Sequence, residues 1–413
     1  MRVLWLCNIV LPELCEEFGF KKTNVGGWLT GMWNEIKKQP ELQLGICVPI
    51  FNVDRMKDGV VNRYNYYSFQ FINDEKLLEQ QSNRFLEIIE EFQPDVIHIW
   101  GTEYIHSYAM FLAGEKKGIS EKIVVNIQGL VSVCVLHYEN SLPEVIKEEK
   151  SIQDEIEDFY KRSVLEQKCL QKAKNIIGRT SWDRACVEQI SPNVNYFLCN
   201  EILRETFYKN VGSWNYEKCE PYTIFISQAS YPIKGFHIFL KALVIIQKQY
   251  PKVKVYVAGS NLIESNTAYA VYIRSEIRKY ELGNKIEFLG MISEQSMCEY
   301  YKKCNVFVSA SVIENSSNSV CEAAMIGIPI VASFVGGISN LISHEEQGYL
   351  YPSDEFYMMA YYVCKLFENK NEICQKISKK SVKKMQEVNN VEVNSGVTIA
   401  IYKELITKSS YNK

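Results

Sequence analysis

The segment from Asn305 to Ile342, NVFVSASVIENSSNSVCEAAMIGIPIVASFVGGISNLI, constrains this chain more than any other stretch. Val306 to Ser309 is a short β-branched run suited to a buried strand. Ser311 to Asn318 is polar and carries Glu314. Ser319 to Met325 has helical composition and opens as S-x-x-E, which predicts a capping box between Ser319 and Glu322. Gly327 stops that helix, and Pro329 to Ala332 begins another strand. A helix that starts at the carboxyl edge of a parallel strand presents unpaired N–H groups and a positive dipole end, and so suits a phosphate. The amides of Asn318, Ser319 and Val320 are the candidates for that role. Glu314 and Glu322 flank them, eight residues apart. Carboxylates repel phosphate, so their partners should be sugar hydroxyls. A nucleotide-sugar site is the arrangement that uses both.

The same alternation of strand and helix runs through the chain twice. In the first half, Val3 to Val10 reads as a strand, and Gly26-Gly27 opens a helix with Trp28, Leu29, Met32, Trp33 and Ile36 at helical spacing. A glycine pair between strand and helix lets backbone approach a diphosphate, although a plain turn explains it as well. Leu44 to Phe51, Tyr64 to Phe71, Val96 to Trp100 and Ile123 to Ile127 read as further strands, and Ile176 to Trp182 as the last of this half. Ligands collect at the carboxyl ends of such strands, which draws attention to Glu103, His106, Gln128 and Arg179 as acceptor or sugar-side candidates. His106 is also explained as a surface histidine on a helix. Leu142 to Ala173 reads as a long exposed helix or helix pair, and Asn200 to Tyr222 as a linker. The second half resumes with the strand Thr223 to Ser227 and then Lys234-Gly235 at the tip of a strand-to-helix loop, a mobile cation placed for phosphate. These halves predict an α/β protein of two Rossmann-like domains facing across a cleft, residues 1–205 and 206–390.

Composition narrows the function. Over 413 residues, 47% are hydrophobic and 23% charged, an ordinary globular balance. A net charge of −3 gives no nucleic-acid signature. Thirteen cysteines, with no C-x-x-C pair, read as reduced thiols of a cytoplasmic protein rather than as a zinc site. No D-x-D occurs, so no divalent metal is expected on the diphosphate. Lys376, Lys379, Lys380, Lys383 and Lys384 line one face of a helix from Asn371 to Glu387. That row is a solvated face or a peripheral contact to the inner face of an anionic membrane.

E-x7-E, followed by A-x-x-G-x-P-x-V-A-S (Ala324 to Ser333) and Gly336-Gly337, resembles the donor site of glycosyltransferase family 4, retaining enzymes of the GT-B fold. The likeness is strongest from about Tyr222 to Pro352. It implies that Glu314 lies near the donor sugar and Glu322 binds ribose hydroxyls, while Lys234 and Gly235 grip the diphosphate. Gly26 and Gly27 would close over the phosphates, and Gly290 and Met291 would lie against the base. A terminal helix, about residues 391–413, would cross back onto the first domain. The implied co-substrate is a nucleotide sugar, UDP-linked by preference, and the implied acceptor is a glycan or a lipid-linked sugar in bacterial surface polysaccharide synthesis. No cofactor is implied. Two departures stand out. The arginine that precedes Lys-Gly in the family is replaced by Gln228, Ala229 or Ser230, and its histidine by Gln128. They leave open a non-catalytic GT-B binding module. A nucleotide-sugar epimerase is the other alternative.

Overall fold

The computed structural model describes residues 1–20, 26–260, 262–368 and 372–411. Asn371 and the side chain of Trp28, both used above, lie outside the described residues. The chain divides into two compact units. One comprises Met1–Ser132, Tyr160–Ile202 and Val391–Lys413, and the other Val133–Phe159 and Leu203–Asn390.

The first unit is built on a sheet whose strands run, from edge to edge, Gly59–Val61, Tyr64–Gln70, Gln43–Ile50, Arg2–Leu6, Val96–Trp100, Ile123–Asn126, Asn175–Gly178 and Asn195–Leu198. Every neighbouring pair is parallel except the first. That first strand was not foreseen. It forms a hairpin with Tyr64–Gln70 through Asn62, whose φ of 53° a short amide side chain tolerates. The strand expected to be last is also followed by another, Asn195–Leu198. Val96–Trp100 is buried along its whole length, as a strand covered on both faces must be. The helix Leu78–Phe92 buries Phe85, Ile88, Ile89 and Phe92 along one face, with Phe85 against Phe69 and Phe92 against Tyr67 of the strand Tyr64–Gln70.

The terminal helix, Val391–Tyr411, packs within this first unit. Trp5 Nε1 donates to the Tyr402 hydroxyl at 3.0 Å, and that hydroxyl lies 2.6 Å from His98 Nδ1. Burial pushes His98 down to about 3, so the ring is neutral and Nδ1 can accept a hydrogen bond from the tyrosine hydroxyl.

The second unit carries a parallel sheet ordered Ile286–Gly290, Lys254–Ala258, Thr223–Ile226, Val306–Ser309, Ile330–Ser333 and Tyr349–Tyr351. The chain builds outward in one direction from Thr223–Ile226, then returns to the other side at Val306–Ser309. The carboxyl ends of these two adjacent strands form the topological switch point, where open α/β sheets place ligands. Residues 133–159, which the sequence assigned to the first half, belong here. His237 Nε2 meets the Asn140 carbonyl oxygen at 3.0 Å, and the Ala268 amide donates to Ser151 Oγ at 3.1 Å. The segment read as a linker contains a short helix, Glu205–Lys209. Among the described residues no helix is long and apolar enough to cross a membrane.

Candidate functional site

At the switch point of the second unit, the loop after Thr223–Ile226 ends in a turn of 3-10 helix, Pro232–Lys234, and Gly235 starts the helix Phe236–Gln249. Gly235 has a φ of +65°, and a Cβ there would stand 1.9 Å from the Ala310 carbonyl oxygen. Only glycine lets the two strand-end loops close on each other. The Val312 amide then donates to the Ile233 carbonyl at 2.8 Å. This brings Lys234 Nζ to 2.5 Å from Glu314 Oε1, which also accepts from Ser311 Oγ at 2.8 Å. Burial acts to lower the pKa of Lys234, but the Glu314 carboxylate outweighs it and holds the ammonium charged, its proton held more tightly than usual.

The helix that carries Glu322 begins at Asn318 rather than Ser319. Its N-cap is Ser317, and no side chain caps it. The predicted capping box does not form: Glu322 lies one turn inside the helix, too far from the N-cap to close one, and Ser317 Oγ faces Ser319 Oγ at 3.2 Å instead. The first amides, of Asn318, Ser319 and Val320, thus keep the donors that an anion would use. Glu322 Oε1 accepts from Arg204 Nη2 at 2.8 Å, and Tyr301 OH reaches Oε2 at 3.4 Å. Arg204 Nε also meets Glu294 at 3.4 Å. Burial raises the Glu322 carboxyl and Arg204 partly offsets it, leaving the net shift upward.

Gln228, at the place where an arginine was sought, turns back on its own loop. Its Oε1 accepts the amides of Ala229 at 3.0 Å and Ser230 at 3.3 Å. Arg204 does not replace the missing cation on a phosphate, because its guanidinium is engaged by Glu322 and Glu294. Lys234 is left as the cation of this loop. Gly290 ends its strand and Met291 beside it is 70% exposed, an open apolar surface.

Gly336 supports the Glu314 loop from behind. Its φ is +48°, a Cβ would stand 1.8 Å from the Glu314 carbonyl oxygen, and the Gly337 amide donates to that same oxygen at 3.0 Å. Gly336→Ala should therefore displace Glu314 without touching a ligand. We expect about tenfold weaker nucleotide-sugar binding by calorimetry, with helical content unchanged by circular dichroism.

The first-unit candidates scatter. Gly26 caps the helix Gly27–Ile36. Glu103 pairs with Arg162 at 3.5 Å. Arg179 is buried, and its guanidinium donates to the Glu201 carboxylate and the Gln128 carbonyl. His106 is not the surface residue expected. It is buried among Phe69, Phe71 and Tyr104, and burial pushes it down to about 3, which leaves it uncharged near neutral pH.

A buried carboxylate that sequence reasoning missed, Glu166, lies beside Thr102 instead. It accepts the Val131 and Ser132 amides, each at 2.9 Å, and Ser132 Oγ at 2.5 Å. Burial pushes Glu166 up to about 7 against these donors. A folded-state pKa above the unfolded one means that the native chain binds the extra proton. Stability should thus fall as pH rises from the ordinary carboxyl range, roughly 4.3, toward about 7 and then level off. Glu166→Gln should flatten that slope in thermal unfolding followed across the interval, even though the amide satisfies the donors less well.

Residues 188–384 match the family model of glycosyl transferases group 1. The match spans the whole switch-point site. Alpha-monoglucosyldiacylglycerol synthase of Streptococcus pneumoniae is 24% identical over 333 residues, 77% of this chain and 69% of that protein. Sucrose-phosphate synthase of Thermosynechococcus elongatus superposes with a TM-score of 0.70 at 16% identity, covering 99% of this chain and 100% of that one. Anabaena HepE in complex with UDP-glucose gives 0.67 at 14% identity, covering 98% and 100%. The fold is GT-B, with two parallel-sheet Rossmann-like domains.

Proposed function

We propose that this protein is a retaining glycosyltransferase of family 4 that moves a sugar from a nucleotide sugar, by preference UDP-linked, to a glycan or lipid-linked acceptor. One observation carries the reading. At the switch point, a lysine, two carboxylates and an uncapped helix N-terminus converge, which is the set of groups that a sugar diphosphate needs. In this reading Lys234 and the amides of Asn318, Ser319 and Val320 stabilise the charge that develops on the departing phosphate, without a metal. Glu314 takes hydroxyls of the donor sugar and Glu322 those of the ribose, while Gly290 and Met291 face the base. The group 1 match and the names of the relatives support sugar transfer. A lipid acceptor is consistent with the diacylglycerol product named for the pneumococcal relative. The lysine row on the helix Glu372–Val388 offers such an acceptor's membrane a contact at the cytoplasmic face.

Gln228 favours a second reading, a binding module that holds the nucleotide and transfers nothing, since its side chain is turned inward where a second cation would aid departure of the phosphate. Calorimetric titration with UDP, GDP and their common sugars, followed by assay for donor hydrolysis, separates the two. Binding with slow hydrolysis supports the transferase, and binding with none supports the module. No binding to any nucleotide defeats both.

A further inference from the structure

A cavity of about 490 Å³ opens in the second unit beside the switch point, within the usual span of small-molecule pockets, about 300–1,000 Å³. Its lining is Tyr138, Asp154, Glu155, Asp158, Phe159 and Tyr231. Three of these are aromatic and three acidic, and no cation is among them. Helical spacing produces the set. In the helix Lys150–Lys172, Asp154 and Asp158 are four apart, as are Glu155 and Phe159, so two neighbouring rows of one face turn toward Tyr138. Tyr138 meets Phe159 edge-on, with ring centres 5.2 Å apart, and its hydroxyl donates to Glu155. A carboxylate of this cavity therefore already accepts a hydroxyl. Tyr231 joins the cavity to the site described above, because the Lys234 ammonium stands 5.7 Å over its ring.

We propose that this cavity holds a neutral sugar ring of the acceptor, its C–H face against the aromatic rings and its hydroxyls donated to Asp154 and its neighbours. The lining itself offers carboxylates and aromatic rings and no cation, which suits hydroxyls better than a phosphate. Aromatic faces match the apolar faces of a pyranose, and carboxylates match its hydroxyl edge. The inference rests on the glycosyltransferase reading for the word acceptor, while the binding itself does not depend on it.

The test titrates the full chain, with and without saturating UDP, against methyl α- and β-glycosides of glucose, galactose and mannose, observed by saturation-transfer NMR. Choline chloride is the cationic control. Asp154→Asn, at an exposed position where folding is not at stake, and Phe159→Ala are compared with the parent. We expect a glycoside to bind the parent and to bind either variant about tenfold more weakly, with UDP affinity unchanged. Absence of glycoside binding, glycoside binding indifferent to both substitutions, or choline binding that the substitutions abolish would each overturn the proposal. Failure of UDP to bind would defeat the donor reading alone, since the glycoside titration without UDP still reads the cavity.

Discussion

Lys234→Ala is expected to weaken binding of a nucleoside diphosphate ten- to a hundredfold, the loss of one charge-assisted contact of about 1.5–3 kcal/mol. Turnover should fall further, by about 10²–10³, if the ammonium also stabilises the departing phosphate. The effect is large because Gln228 hydrogen-bonds within its own loop and Arg204 is bound to two glutamates, so neither compensates. Glu314→Ala gives the complementary result. Removing the carboxylate that holds Lys234 at 2.5 Å frees the cation, so UDP affinity should hold or rise while sugar transfer falls. Calorimetry with UDP set against the rate of donor turnover reads both. Equal loss of UDP affinity in the two variants would contradict the division of labour between phosphate and sugar.

Arg204→Ala should produce the second large effect. Glu322 is 8% exposed and Arg204 17%, so the pair is mostly sequestered, and removal of one partner leaves an uncompensated charge. Breaking such a pair costs about 3–5 kcal/mol. Burial already raises the Glu322 carboxyl, and without the guanidinium it rises further. A raised carboxyl is protonated at low pH and regains its acceptor character as pH increases. Nucleotide affinity of the variant should therefore improve with rising pH, more steeply than that of the parent. Arg204→Lys should rescue only in part, because a single ammonium does not reproduce the separate Nε and Nη2 contacts to Glu294 and Glu322. Urea unfolding and UDP titration at several pH values provide the measurement.

The groups that converge at the switch point were legible because Lys234 lies in the loop after Thr223–Ile226, and Glu314 and Glu322 lie in the loop and helix after Val306–Ser309. Lys234-Gly235 and the Glu314 to Glu322 stretch keep local signatures of loop and helix start. Glu322's partner was not legible as such. Arg204 stands 118 residues away, and only the packing of Glu205–Lys209 brings the two together. Glu166 was hidden for the same reason, since its amide donors at Val131 and Ser132 lie some 35 residues earlier. His106 and Arg179 misled because a sequence position at a strand end says nothing about how far neighbouring strands roof it over. Phe69 belongs to the strand Tyr64–Gln70, which two other strands separate from Val96–Trp100, and Phe71 follows just after it. The capping box failed through a two-residue competition. Ser317 and Ser319 both suit a helix start, and the chain begins at the earlier one. Residues 133–159 were assigned by sequence order, whereas their contacts are with His237 and Ala268.

The contact between Lys234 and Glu314 bears on discrimination among ligands. With nothing bound, each charge already has its opposite, so the site offers no bare cation to the abundant phosphate of a cell. Inorganic phosphate that draws Lys234 away leaves Glu314, among the described residues, with the Ser311 hydroxyl for a side-chain partner. A sugar diphosphate supplies an anion to one member and hydroxyls to the other in the same event. The ion pair thus acts as a two-key lock, which favours the sugar diphosphate over inorganic phosphate.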